Sequence, residues 1–224
     1  SFHYSFPIIY LSLCWHILFI NSSKLIDYFY SDMKQYTFIL LALLFLASCE
    51  NTIQVESIET SMNVDAYKEN QSLDYENLIN HYKILDKQYQ HAKLIEYGKS
   101  DIGKPIYLFV IDNNNNNQKA TLLINNGIHP GEPCGIDASV NFAREILEDK
   151  SLTENVKIGI IPLYNVGGEH NRGCCSRANQ NGPEQYGFRG NARNLDLNRD
   201  FIKRFSRNAE LFSQIYHDLN PNLF

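Results

Sequence analysis

The chain is short of basic charge. Its 20 lysines and arginines are outnumbered by 25 aspartates and glutamates, for a formal net charge of −5. The basic residues are scattered, which excludes the electrostatic footprint of a nucleic-acid binder. A CxxC pair is also missing. The five cysteines are Cys14, Cys49, Cys134 and the adjacent Cys174 and Cys175, a spacing that supports neither a thiolate zinc site nor a small disulfide-stapled scaffold. A bridge from Cys134 to one of the adjacent pair stays open. No internal repeat occurs. Tyr164-Asn165-Val166-Gly167-Gly168 lacks the Lys-Ser/Thr that a phosphate loop requires and reads as a strand-end turn. What remains is an ordinary globular composition, 44% hydrophobic and 20% charged over 224 residues, with room for one substantial domain.

The first third reads as an address. Met33 and Lys34 precede an apolar core from Thr37 to Ala47, too short to span a bilayer comfortably, with small residues where cleavage would fall. Leu46-Ala47-Ser48-Cys49 resembles the bacterial lipobox, in which the cysteine is lipidated and becomes the first mature residue. The expectation is an exported lipoprotein of the bacterial cell envelope, anchored to a membrane through Cys49, with residues 33–48 as signal peptide. Residues 1–32 read as upstream read-through before a true start at Met33. Residues 49–72 are polar and aperiodic, a tether between anchor and domain.

From residue 73 the pattern becomes regular. Apolar residues at helical spacing predict a helix over 75–89, and strands are expected at 91–97 and 105–111 around a turn at 98–103. The asparagine run within 112–118 reads as a hairpin tip. A strand over 120–126, a helix over 135–149 with Ile136, Val140, Ala143 and Leu147 on one face, a strand over 156–163 and a helix over 208–219 complete the reading. Strand, helix, strand in that order predicts an α/β fold: a mixed, partly parallel sheet sandwiched by helices. His81 and His91 fall in ordinary helix and strand contexts and read as structural.

Chemistry gathers in two places. In Asn125-Asn126-Gly127-Ile128-His129-Pro130-Gly131-Glu132 a strand ends, a turn follows and a helix begins. His129 and Glu132, separated by two residues on that turn, can offer an imidazole nitrogen and a carboxylate to one ion, the N/O donor set that zinc takes. Loops at the carboxyl ends of strands are where α/β folds place their sites. The second place is Phe188-Arg189-Gly190-Asn191-Ala192-Arg193-Asn194-Leu195-Asp196-Leu197-Asn198-Arg199-Asp200-Phe201, dense in guanidinium and amide donors suited to a carboxylate.

Together, in this order, the two segments resemble the M14 metallocarboxypeptidases, and Gly98-Lys99-Ser100 with Gly103-Lys104-Pro105-Ile106 matches that family's early hairpin. The resemblance covers residues 97–224. It implies a zinc-dependent enzyme that removes C-terminal residues from peptides with a free C-terminal carboxylate. His129 and Glu132 are then the first two zinc ligands, and Asp196 orients the zinc-bound histidine. Arg189 polarises the scissile carbonyl, with Arg193 as a rival, while Asn198 and Arg199 grip the terminal carboxylate.

The family also uses a third histidine ligand and a glutamate base further along the chain, and neither has a motif match here. The last histidine, His217, lies in a predicted helix, and no glutamate follows Glu210. Glu169 and His170 are conceivable substitutes in a loop. The expectation is therefore a fold truncated within its catalytic domain, incomplete, inactive and poorly stable as given. Two alternatives stand beside peptide hydrolysis: an amidohydrolase of murein peptides or acyl amino acids on the same scaffold, and a non-catalytic, carboxylate-binding surface lipoprotein.

Overall fold

The computed structural model describes residues 66–113, 119–178 and 180–224. The signal segment, Cys49, residues 1–32, most of the tether and the asparagine run lie outside these. Among the described residues no helix is long and apolar enough to cross a membrane.

Four strands form one sheet in the order β1 (Ala92–Lys99), β2 (Pro105–Ile111), β4 (Val156–Ile161), β3 (Ala120–Asn125). Strands β1 and β2 pair antiparallel through a bulge between Glu96 and Gly98, and β2 pairs antiparallel with β4. Strands β3 and β4 run parallel, from Ala120 opposite Val156 to Asn125 opposite Ile161. The mixed sheet is thus as expected, with one correction. Strands β2 and β3 do not form the hairpin expected around 112–118, because β4 lies between them and takes the hydrogen bonds of both. A polar run at a strand end signals a turn but does not say which strand pairs next.

Helix α1 (Tyr75–Gln88) starts where the Asp74 carboxylate accepts the Asn77 N–H at 2.8 Å. Helix α2 (Cys134–Glu148) buries Ile136, Val140, Ala143 and Leu147, the stripe that its periodicity foretells. A short helix α3 (Val166–His170) stands where a turn was expected. Helix α4 (Arg207–Leu219) is capped by Ser206 and ends at Asn220, whose φ of 47° is left-handed. Strand β2 is buried on both faces. Phe109 meets the ring of Tyr82 from α1, and Leu108 lies with Leu219 of α4 over Gly159, where any side chain would collide with Leu219. That two-sided burial explains the nearly unbroken apolar run of β2.

The packed domain begins before residue 73. Ala66–Glu69 form a 3-10 turn, and Ser72 is buried under the Arg172 guanidinium, which donates to its carbonyl at 3.2 Å and its hydroxyl at 2.8 Å. Composition alone assigned these residues to the tether. The outer edge of β3 is partly covered as well: Leu123 N–H donates to the Leu223 carbonyl and Asn222 N–H to that of Thr121. Cys174 is bridged to Cys175 and not to Cys134, which is free and exposed. His91 sits in the turn before β1, not in a strand.

Candidate metal centre

The parallel strands β3 and β4 end side by side, and both deliver site residues. After β3 the chain turns at Gly127, where φ is +64° and a Cβ would strike Leu163, so glycine is required. His129 follows, only 6% exposed. After β4 comes Asn165, fully buried, which ties three segments together. Its Oδ1 accepts the Gly168 N–H at 2.8 Å, and its Nδ2 donates to the Arg189 carbonyl at 3.0 Å and the Ile128 carbonyl at 3.4 Å. No sequence motif marks Asn165 as the link between the His129 turn and the Arg189 loop. Its position at the end of a strand was the only signal.

The imidazole of His129 is oriented by carboxylate. Its Nε2 lies 2.9 Å from Asp196 Oδ1. An ionised carboxylate only accepts, so Nε2 carries the proton and the lone pair sits on Nδ1. That nitrogen faces Glu132 Oε1 at 3.7 Å and Arg189 Nη1 at 3.4 Å. Asp196 is itself held by Arg189, whose Nε and Nη2 donate to Oδ2 at 3.2 and 2.9 Å, and by the Asn198 N–H at 3.0 Å. Burial pushes the Asp196 carboxyl up, but the hydrogen bonds from His129, Arg189 and Asn198 and the charge of Arg189 outweigh it and hold it at about 2. It stays ionised across all physiological pH, so the histidine tautomer is fixed.

Glu132 closes one side. Its N–H bonds back to the His129 carbonyl at 2.9 Å, and its Oε1 lies 2.6 Å from Arg177 Nη1. Arg177 was missed by sequence reading; it reaches the turn because Gly131 leaves room for its side chain, with Cδ only 3.1 Å from where a Cβ would stand.

The structure brings His129, Glu132, Asp196 and Arg189 together. Asn198 and Arg199 flank Asp196 on a 3-10 turn, both exposed, with Arg199 donating to the Asn198 carbonyl at 3.0 Å. Arg193 is engaged elsewhere, with Nη1 on the Phe205 carbonyl at 2.6 Å and near Asp101. Glu169 is buried against Arg172, and His170 packs edge-on against Tyr75. No group of three or more His, Cys, Asp or Glu that could hold a metal ion is found among the described residues. The Nδ1 lone pair and the Glu132 carboxylate, both facing one point, fit two positions of a zinc centre.

Among solved structures, the chain is similar to a metallo-carboxypeptidase from Burkholderia cenocepacia, with 17% identity, a TM-score of 0.56, and 68% of this chain matched to 40% of that one. Carboxypeptidase A from Helicoverpa armigera gives 18% identity and a TM-score of 0.55, with 67% of this chain on 43% of that one. For a Pseudomonas aeruginosa metallo-carboxypeptidase in complex with (2-guanidinoethylmercapto)succinic acid the values are 17%, 0.53, and 68% on 39%. These likenesses show the fold, and the chain spans about two fifths of the length of each of these structures. No curated protein matches it in sequence. Residues 78–223 match the zinc carboxypeptidase family of M14 peptidases, and with the fold in agreement the chain belongs to that family.

Proposed function

We propose that the protein is a zinc-dependent carboxypeptidase acting on peptides with a free C-terminal carboxylate. The observation that carries this reading is the fixed ring of His129, whose Nε2–H is committed to Asp196 while its Nδ1 lone pair faces Glu132. In this reading His129 Nδ1 and Glu132 hold the metal. Bound there, zinc supplies Lewis acidity toward the scissile carbonyl. Asp196 keeps the imidazole in its ligating tautomer and raises its basicity. Arg189 turns Nη1 from His129 to the carbonyl oxygen as negative charge develops on it, an interaction stronger in the transition state than in the ground state. Asn198 and Arg199, both exposed beside Asp196, take the terminal carboxylate. The Leu46-Ala47-Ser48-Cys49 motif supports export and membrane anchoring through Cys49, with the domain in the cell envelope.

The test is zinc binding by calorimetry, followed by binding of a peptide and of its C-terminal amide. Zinc binding that H129A abolishes, with the free acid bound more tightly than the amide, is the expected result. Binding indifferent to H129A would refute the proposal.

A further inference from the structure

Beside the metal centre lies a cavity of about 440 Å³ lined by Ser176, Arg177, Ala178, Gln180, Phe188 and Arg189. Two guanidinium groups reach it, and no carboxylate lines it among the described residues. The two differ in what they have left to offer. Arg189 has every side-chain nitrogen engaged, Nε and Nη2 on Asp196 and Nη1 on His129. Arg177 commits only Nη1, to Glu132, and its Nε and Nη2 have no partner among the described residues.

Its placement is built. The backbone N–H of Arg177 donates to the hydroxyl of buried Tyr186 at 3.3 Å, and its stem passes over Gly131. A planar fork with spare donors, half-exposed in a cavity floored by Phe188 and Ala178, matches a carboxylate better than any neutral group. The cavity shares Arg189 with the reaction centre but neither Asn198 nor Arg199, which take the leaving side. It therefore lies on the acyl side of the scissile bond.

Resting on the carboxypeptidase reading above, we propose that this cavity binds the residue preceding the scissile bond and that Arg177 selects an acidic side chain there. With Glu132 given over to a metal ion, the charge of Arg177 is left for the substrate. The preferred substrates are then peptides with Asp or Glu next to last.

The experiment is calorimetric titration of the zinc-loaded 224-residue chain with three peptides of otherwise equal sequence, ending Glu-Phe, Gln-Phe and Glu-Phe-amide. The parent should bind the Glu-Phe peptide about tenfold more tightly than the Gln-Phe peptide, as one charge-assisted contact implies. In R177Q that ratio should fall to near one, and in R177K, which keeps the charge without the fork, to an intermediate value. R177K also serves if R177Q fails to fold. Equal binding of Glu-Phe and Gln-Phe, with the amide weaker, overturns the acidic subsite and leaves the carboxypeptidase reading standing. A ratio unchanged by R177Q or R177K overturns it too. An amide that binds as well as the free acid, or no binding by any peptide, refutes both.

Discussion

Two ionic clusters, one around Arg189 and one around Arg172, treat their carboxylates in opposite ways. At the candidate metal centre Asp196 is partly open to solvent, takes hydrogen bonds from His129, Arg189 and Asn198, and has its carboxyl held at about 2. Glu169 of α3 and Asp137 of α2, by contrast, are buried around Arg172. Desolvation lifts Glu169 to about 7 against the pull of Arg172, with Asp74 and Asp137 adding repulsion. Asp137 rises to about 6 for the same first reason, although the Leu73 N–H and Arg172 oppose it. Glu169 Oε2 is buried with no hydrogen-bond partner, pressed against Gly187. The lesson is that partners and water, more than residue type, decide the role. The first cluster keeps charge available to a ligand, while the second spends one arginine on pinning Ser72, Leu73 and Gln185 to the domain.

Removing Arg172 should break the comparison most severely. R172A leaves buried carboxyl groups and several carbonyls without a donor, and stability should fall by about 3–5 kcal/mol in urea unfolding. R189A, which removes an exposed partner, should cost about 1 kcal/mol or less. A similar loss from both would mean that the two clusters do the same structural work.

The next effect is on pH dependence. Glu169 has its folded pKa raised from 4.5 to about 7, so between these values the folded chain keeps a proton that the unfolded chain has lost. Its contribution therefore makes stability fall as pH rises through that window, on the order of 2 kcal/mol across it. E169Q should flatten the profile of unfolding free energy from pH 4.5 to 7. Asp196 works with the opposite sign: its contribution is complete above 3.8 and is lost as pH falls toward about 2. An unchanged profile in E169Q would place the titration elsewhere.

A third effect separates the clusters by ligand. D196N should weaken zinc binding by about 10–100-fold, because the amide no longer fixes the His129 tautomer or its basicity. The melting temperature should barely move. If D196N instead unfolds the domain at unchanged zinc affinity, Asp196 is a structural residue. A last effect belongs to N165A, which deletes the bonds joining the two site loops and should cost about 1–3 kcal/mol, with a matching loss of zinc affinity where R172A shows loss of stability alone.

Much of this was legible in the sequence, for reasons tied to particular elements. The stripe of Ile136, Val140, Ala143 and Leu147 announced α2, and the apolar run of β2 matched its burial on both faces. His129 and Glu132 stood out because they share one short turn with Gly127 and Gly131. Other features depend on contacts between distant segments. Which strand would lie beside β2 was decided by β4, 45 residues on by the Ile111–Val156 numbering. Arg177 and Arg172 look alike in sequence, yet one meets Glu132 and the other Glu169. Asn165 carried no motif, since its value lies in carbonyls 24 and 37 residues away.

Those separations have a consequence for how the centre comes into being. Residues 128, 165 and 189 meet only after β3 and β4 have paired, so the setting that orients His129, with Asp196 and Arg189 on its ring, is absent from the unfolded chain. An ion that prefers the assembled site therefore draws the folding equilibrium toward the native state in proportion to its concentration. On the proposed zinc-bound reading, the supply of metal and the amount of folded protein would rise together.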